Sequence, residues 1–349
     1  MFHHSKYQHL RYPRWVLISC LLILLFFLVI LNLSVGPVTI PFNQIWDALQ
    51  GISYNDSWNV ILTKVRLPQL ITALIAGAGL AVGGLQMQTL FRNPLADPSI
   101  LGISSGASLG VALLLMLSGS LGGVSLHAIG ITGNLAITFA SFMGAMGVLI
   151  TILLIAPKLK SAVNVLVFGI MIGYLTFSVV GILKFYSLKD DLRRYVVWGL
   201  GSFSEVPLKD MYYFVSIGLI ALLSSFLLIK PLNLLLLGDY YAANLGLNIK
   251  YAKFLIIASA GFLTAFITAY CGPIAFIGLA VPHLARALLS TADHRFLMPM
   301  TALLGAILAL GCNFIARLPV FDGALPINAV TALIGAPVVI YVILKTKIN

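Results

Sequence analysis

"RNPLADPSILGISSGASLG", residues 92–110, lies between two long apolar stretches and decides how the whole chain is read. Pro94 and Pro98 cannot continue a helix out of the preceding apolar run, because proline has no N–H to give and its ring collides with the turn before it. Asp97 and Ser99 can cap the helix that follows, their side-chain oxygens accepting from its free N–H groups. Gly102, Gly106 and Gly110 then recur at every fourth position, with Ser104, Ser105 and Ser108 among them. Non-helical backbone at membrane depth survives only when buried in protein or facing water. The stretch therefore reads as a turn at one membrane surface, followed by a helix with a small, polar face. Such a turn would suit a gate.

Composition supports the membrane setting. Of 349 residues, 60% are hydrophobic and 9% charged, and the mean hydropathy is +1.04. A soluble domain carries roughly 25% charged residues, so the exterior of this chain is lipid-facing. With ~20 mainly apolar residues needed per spanning helix, ten candidates emerge: 15–34, 65–88, 99–117, 126–155, 163–184, 211–229, 251–270, 274–289, 297–315 and 326–344. The stretch 126–155 is long enough for strong tilt, and only Cys271, Gly272 and Pro273 part the seventh from the eighth. The expected fold is an all-α integral membrane protein of about ten transmembrane helices, a single domain over 1–349.

Charge orients it. Ten spans put both termini on one side, with Lys6, Arg11, Arg14, Arg92, Lys158, Lys160, Lys230, Lys250, Lys253, Arg286, Arg295, Lys345 and Lys347. The opposite side holds Lys64, Arg66, Lys184, Lys189, Arg193, Arg194, Lys209 and Arg317. The Lys/Arg excess marks the cytoplasmic face, which places both termini in the cytoplasm. The net charge of +11 is then a topology signal and not a nucleic-acid footprint. Lys6, Arg11 and Arg14 before the first apolar run imitate a signal peptide, but no small-residue cleavage site follows at 32–35, so an uncleaved first span is expected. Cys20, Cys271 and Cys312 lack metal-ligand spacing and read as packing residues.

Several functions are disfavoured. No Asp or Glu falls inside a predicted span, which argues against a proton-coupled carrier, although sodium sites built from backbone and hydroxyl groups remain open. No phosphate loop occurs, nor any Gly-Lys pair, so a pump built on this chain takes its ATPase from another polypeptide. The six histidines are scattered, and no catalytic constellation, cofactor site or metal site can be assembled. Small residues four apart (Gly79/Gly83, Gly169/Gly173 and the 102–110 run) allow close helix packing in lipid; the density of Gly and Ser at 102–110 also suits a helix lining an aqueous path.

"RLPQLITALIAGAGLAVGGLQMQTLFRNPLADPSILGISSGASLG" (66–110) resembles the signature region of the FecCD family, permease subunits of type II ABC importers for iron–siderophore complexes, haem and cobalamin. Likeness extends through "LLLLGDYYAANLGLNIK" (234–250), "GPIAFIGLAVPHLARALLSTADHRFLMP" (272–299) and "RLPVFDGALPINAVTALIGAPVVIYVILK" (317–345). The resemblance implies a cytoplasmic coupling loop at about 231–250 whose helix, with Gly238, Asp239, Ala242, Ala243, Leu245 and Gly246, docks on the ATPase. Ala242, Ala243 and Gly246 would keep one side slim, and Asp239 can cap the start. It implies that Arg66 and Arg317 meet acidic residues of a substrate-binding protein outside; each could instead be a snorkelling anchor. The family often has a further arginine where Gln69 stands here. The implied cytoplasmic gate comprises Asn93, Leu95, Ser161 and Ala162, while Gly102, Ser105, Gly106 and Gly110 serve pathway or packing. His283 and Arg286 look structural, a helix-end histidine being more often a hydrogen-bonded cap than a metal ligand.

The implied assembly is a homodimer in the cytoplasmic (inner) membrane with two ATP-binding cassette ATPases and an extracytoplasmic binding protein, with no cofactor and no catalysis by this chain. "NPLADP" followed by "GISSGA" favours an iron cargo, a ferric siderophore or haem, over cobalamin. A secondary carrier or channel, resting on hydropathy alone, is the competing class.

Overall fold

In the computed structural model, residues 13–49, 56–120, 133–159, 161–318 and 324–347 are described. They form helices joined by short turns, with no strand among the described residues. Seven helices are long and apolar enough to cross a bilayer, and three shorter apolar ones accompany them. The principal helices are α1 (Arg14–Ser34), α2 (Leu67–Phe91), α3 (Ile103–Ser120), α4 (Asn134–Ile155), α5 (Ala162–Tyr186), α6 (Met211–Ser225), α7 (Ile249–Cys271), α8 (Ile277–Leu289), α9 (His294–Ala316) and α10 (Ile327–Lys347). Each corresponds to one of the ten hydropathy segments. The first part of the segment 126–155 lies outside the described residues.

α2 is the axis of the protein. Nearly every side chain from Pro68 to Leu90 is buried, and α6, α7, α8 and α9 all pack on it. A helix surrounded by other helices must be apolar or small on all sides, and the sequence AGAGLAVGG supplies this. A Cβ on Gly77 would sit 2.2 Å from the Gly305 carbonyl oxygen, and one on Gly84 only 1.9 Å from that of Gly278. These contacts are backbone on backbone, so neither position admits alanine without parting two helices.

The 102–110 glycines are spent the same way. A Cβ at Gly106 or Gly110 would meet the Gly144 or Ala140 carbonyl of α4, and Gly102 lies against Gly169 and Gly173 of α5. These glycines thus pack the helix against α4 and α5, and Ser105 lies near Gly173 on the same contact, while Ser104, Ser105 and Ser108 stay half-buried.

α8 starts three residues later than the expected segment 274–289. Gly272 and Phe276 both have positive φ (71° and 68°), so the chain leaves α7 in an extended linker before helix resumes at Ile277. Thirteen residues rise about 20 Å, short of the ~30 Å hydrocarbon thickness. Linker backbone at this depth is satisfied by protein: Ser202 N–H donates to the Cys271 carbonyl at 2.8 Å, and Ala275 N–H to Asn328 Oδ1 at 3.1 Å.

Candidate functional site: the cytoplasmic gate and coupling segment

α2 ends at Arg92, a non-glycine residue in left-handed conformation (φ 47°), with Asn93 N–H donating back to the Gln88 carbonyl. The chain then turns through Pro94 to Asp97. Asp97 Oδ1 accepts from Ser99 N–H at 2.8 Å and from Ser99 Oγ–H at 2.7 Å. What Asp97 caps is a single 3-10 turn, Pro98–Leu101, and Gly102 (φ 82°) resets the backbone before α3 begins. The expectation that Asp97 and Ser99 cap the long helix directly is corrected by this intervening turn, which two prolines so close together make necessary. Burial raises the Asp97 carboxyl above the usual carboxylate range, and the two Ser99 bonds oppose that rise.

The turn is strapped to its surroundings. His283 Nε2 lies 2.8 Å from the Pro94 carbonyl; a carbonyl only accepts, so the imidazole donates. Arg286 donates to Gln88 Oε1 at 2.7 Å, and Gln88 to the Leu279 carbonyl at 3.1 Å. Both α8 residues act structurally, as their positions suggested. Asn93 Oδ1 accepts from Leu95 N–H at 2.9 Å, leaving the Leu95 side chain exposed. Ser161 caps α5 by accepting from Asn164 N–H. Ser161 and Ala162 border a cleft of about 150 Å³ whose walls include Leu90, Phe91 and Phe254. The four expected gate residues thus fall on two neighbouring features, the turn and the cleft at the end of α2.

The coupling segment begins where Ile229–Leu236 ends. Gly238 (φ 104°) breaks the chain, and a short helix, Asp239–Asn244, follows before Gly246 (φ 86°) and α7. Ala242 is fully buried, whereas Ala243 and Leu245 are exposed. Two features differ from expectation. Asp239 makes no cap bond; its Oδ1 accepts from Arg92 Nη2 at 2.9 Å and its Oδ2 from Lys253 Nζ at 2.5 Å. The surface offered outward is also aromatic more than slim, with Tyr240 77% and Tyr241 65% exposed. The adjacent tyrosines after Gly238 and Asp239 were the available signal.

At the opposite end of α2, Arg66 and Arg317 are inside the protein. Arg66 is 1% exposed, donating to the Leu33, Ser34 and Val38 carbonyls. Arg317 is 9% exposed. A Cβ at Gly36 would lie 3.1 Å from Nη2 of each, so glycine is what lets both guanidinium groups approach. Burial, and then Arg66, push the Arg317 guanidinium down to about 10. No carboxylate among the described residues pairs with either. Neither side chain reaches the surface as a snorkelling anchor would, because the chain following α1 folds over them. Gln69 donates to Asn313, Asn313 to Asn32, and Asn32 to the Leu28 and Leu310 carbonyls, a buried relay joining α1, α2 and α9.

Among the described residues no three His, Cys, Asp or Glu side chains gather as a metal site would require. Comparison with known proteins gives the family. The FecCD transport family model matches residues 23–345. The chain is 34% identical to the hemin transport system permease HmuU of Yersinia pestis, over 96% of this chain and 97% of that one. It is equally 34% identical to the vitamin B12 import system permease BtuC of Klebsiella pneumoniae subsp. pneumoniae, over 97% and 96%. A solved structure described as an inward-facing conformation of a metal-chelate type ABC transporter superposes with a TM-score of 0.82 at 29% identity, covering 96% of this chain and all of the other.

Proposed function

The chain belongs to the FecCD transport family, as the membrane permease of an ABC importer, and we propose that its cargo is an intact iron complex, a ferric siderophore or haem. ATP hydrolysis is the work of a separate ATPase. The observation that carries the cargo reading is the "NPLADP" turn leading into "GISSGA", together with a haemin permease among the relatives and a metal-chelate transporter as structural neighbour. Cobalamin is the second reading, because the vitamin B12 permease is just as similar. A wall without a metal-ligating cluster suits either, since stripping metal from its chelator would need such ligands.

On this reading two copies face each other across the pathway in the cytoplasmic membrane, with both termini inside. Each holds one ATPase on the segment Gly238–Gly246, where Tyr240, Tyr241 and Leu245 supply the anchors; exposed aromatic side chains commonly carry most of an interface's affinity. Asn93, Leu95, Ser161 and Ala162 form the inner gate. The binding protein meets the outer end above Arg66 and Arg317. As both guanidinium groups are buried, they attract its acidic residues through their field, with contact made by the chain that covers them.

Uptake into proteoliposomes containing the permease, its ATPase and its binding protein, offered ferric siderophores, haem and cobalamin side by side, tests the cargo. Accumulation of an iron complex is expected; accumulation of cobalamin alone would replace the iron reading and leave the permease assignment intact.

A further inference from the structure

We propose that Asp239 is a positioning residue that ties the gate turn to the ATPase-docking segment by holding Arg92 and Lys253 at once; the inference rests on the docking reading above. Three elements meet at this one carboxylate. Arg92 belongs to the turn after α2, Asp239 opens the docking helix, and Lys253 is the fifth residue of α7. Both carboxylate oxygens are engaged, one by each cation. Arg92 Nη2 also reaches the Leu235 carbonyl at 3.3 Å, so the arginine grips both sides of the Gly238 break.

Two observations set this cluster apart from an ordinary surface ion pair. The first is backbone: Arg92 adopts φ 47°, a conformation that costs an L-residue with a Cβ, at a helix end where glycine is usual. Glycine there would relieve the backbone and lose the guanidinium. The second is position. Asn93 and Leu95 follow Arg92 directly, so a shift of the docking helix that pulls on Asp239 pulls on the gate turn within one to three residues. Side-chain exposures of 53% for Arg92, 48% for Asp239 and 30% for Lys253 keep the pairs in contact with water. Water-facing pairs are weakly held and can remake themselves in each cycle, which a dry pair, costly to separate, could not.

The test uses the complete transporter in nanodiscs, with an environment-sensitive fluorophore on Leu95→Cys, whose ATP-dependent signal in otherwise unaltered permease sets the reference. In this background Arg92→Gln and Asp239→Asn should each cut the ATP-dependent fluorescence change by about three-fold or more, and the double variant should be no worse than either alone, as for two members of one interaction. Asp239→Glu, which keeps the charge, should retain most of the response. The ATPase should co-purify with Arg92→Gln as it does with the unaltered chain. An intact response in Arg92→Gln, losses that multiply in the double variant, or loss of the ATPase from Arg92→Gln would each overturn the proposal. Failure of the docking reading looks different: the ATPase would then stay bound to a permease carrying Ala243→Arg.

Discussion

The two ends of this permease handle positive charge in opposite ways. Where α2 ends, Arg92 and Lys253 share the carboxylate of Asp239 in view of water. Where α2 begins, Arg66 and Arg317 are buried side by side, and Arg66 is held by backbone carbonyls instead of an acid. A guanidinium that feeds three carbonyls fixes the path of the chain after α1. An exposed ion pair fixes little and can exchange partners. The contrast assigns a rigid frame to one end and an adjustable joint to the other.

The largest expected effect breaks the rigid end. Arg66→Met strips the Leu33, Ser34 and Val38 carbonyls of their donor inside the protein, a loss of about 2–3 kcal/mol, seen as a lower Tm of the purified permease. An unchanged Tm would mean that Arg66 does not organise that end. Tyr241→Ala probes the adjustable end and should act on association instead. ATPase affinity is expected to fall by about ten-fold or more, as for an aromatic anchor, while the Tm of the permease alone stays constant. A fall in Tm without a fall in affinity would reverse the roles given to the two ends.

The smallest effect concerns Asp293, which caps α9 by accepting from Arg295 N–H at 2.9 Å and also takes a bond from Asn233 at 2.7 Å. The Arg295 N–H and then the Asn233 amide hold its carboxyl below the usual carboxylate range. A depressed folded-state pKa stabilises the fold above the unfolded value, about 3.9, and that contribution is lost as pH falls through the lower folded value. Asp293→Asn should therefore lower the Tm slightly at pH 7, and the difference should close as the solution is acidified below about pH 4. A difference that persists in acid would show that the charge is not what matters there.

Much of the fold was legible before any coordinates. Hydropathy separates the ten helices because lipid enforces long apolar runs, and glycine spacing marks α2 and α3 as close-packed. It does not name the partners: Gly84 meets Gly278, and Gly110 meets Ala140, through contacts that no local pattern specifies. α8 reads as starting at 274 because Ile274, Ala275 and Phe276, in the extended linker, are as apolar as the helix that follows. The site was legible in its segments and less so in its side chains. Asp239 reads as a cap because its partners, Arg92 and Lys253, are 147 and 14 residues away. Arg66 reads as an outward group because a charge at the end of an apolar run normally reaches for water; here the chain after α1 returns to cover it.

The assignment as an ATP-driven permease, and not a carrier that runs on an ion gradient, is tested most directly by uptake of a ferric chelate into proteoliposomes. The permease would be reconstituted with its binding protein, with or without the ATPase, and with or without imposed proton and sodium gradients. Accumulation is expected only when ATPase and ATP are both present, and should be indifferent to either gradient. Uptake driven by a proton or sodium gradient in vesicles that lack the ATPase would contradict the account.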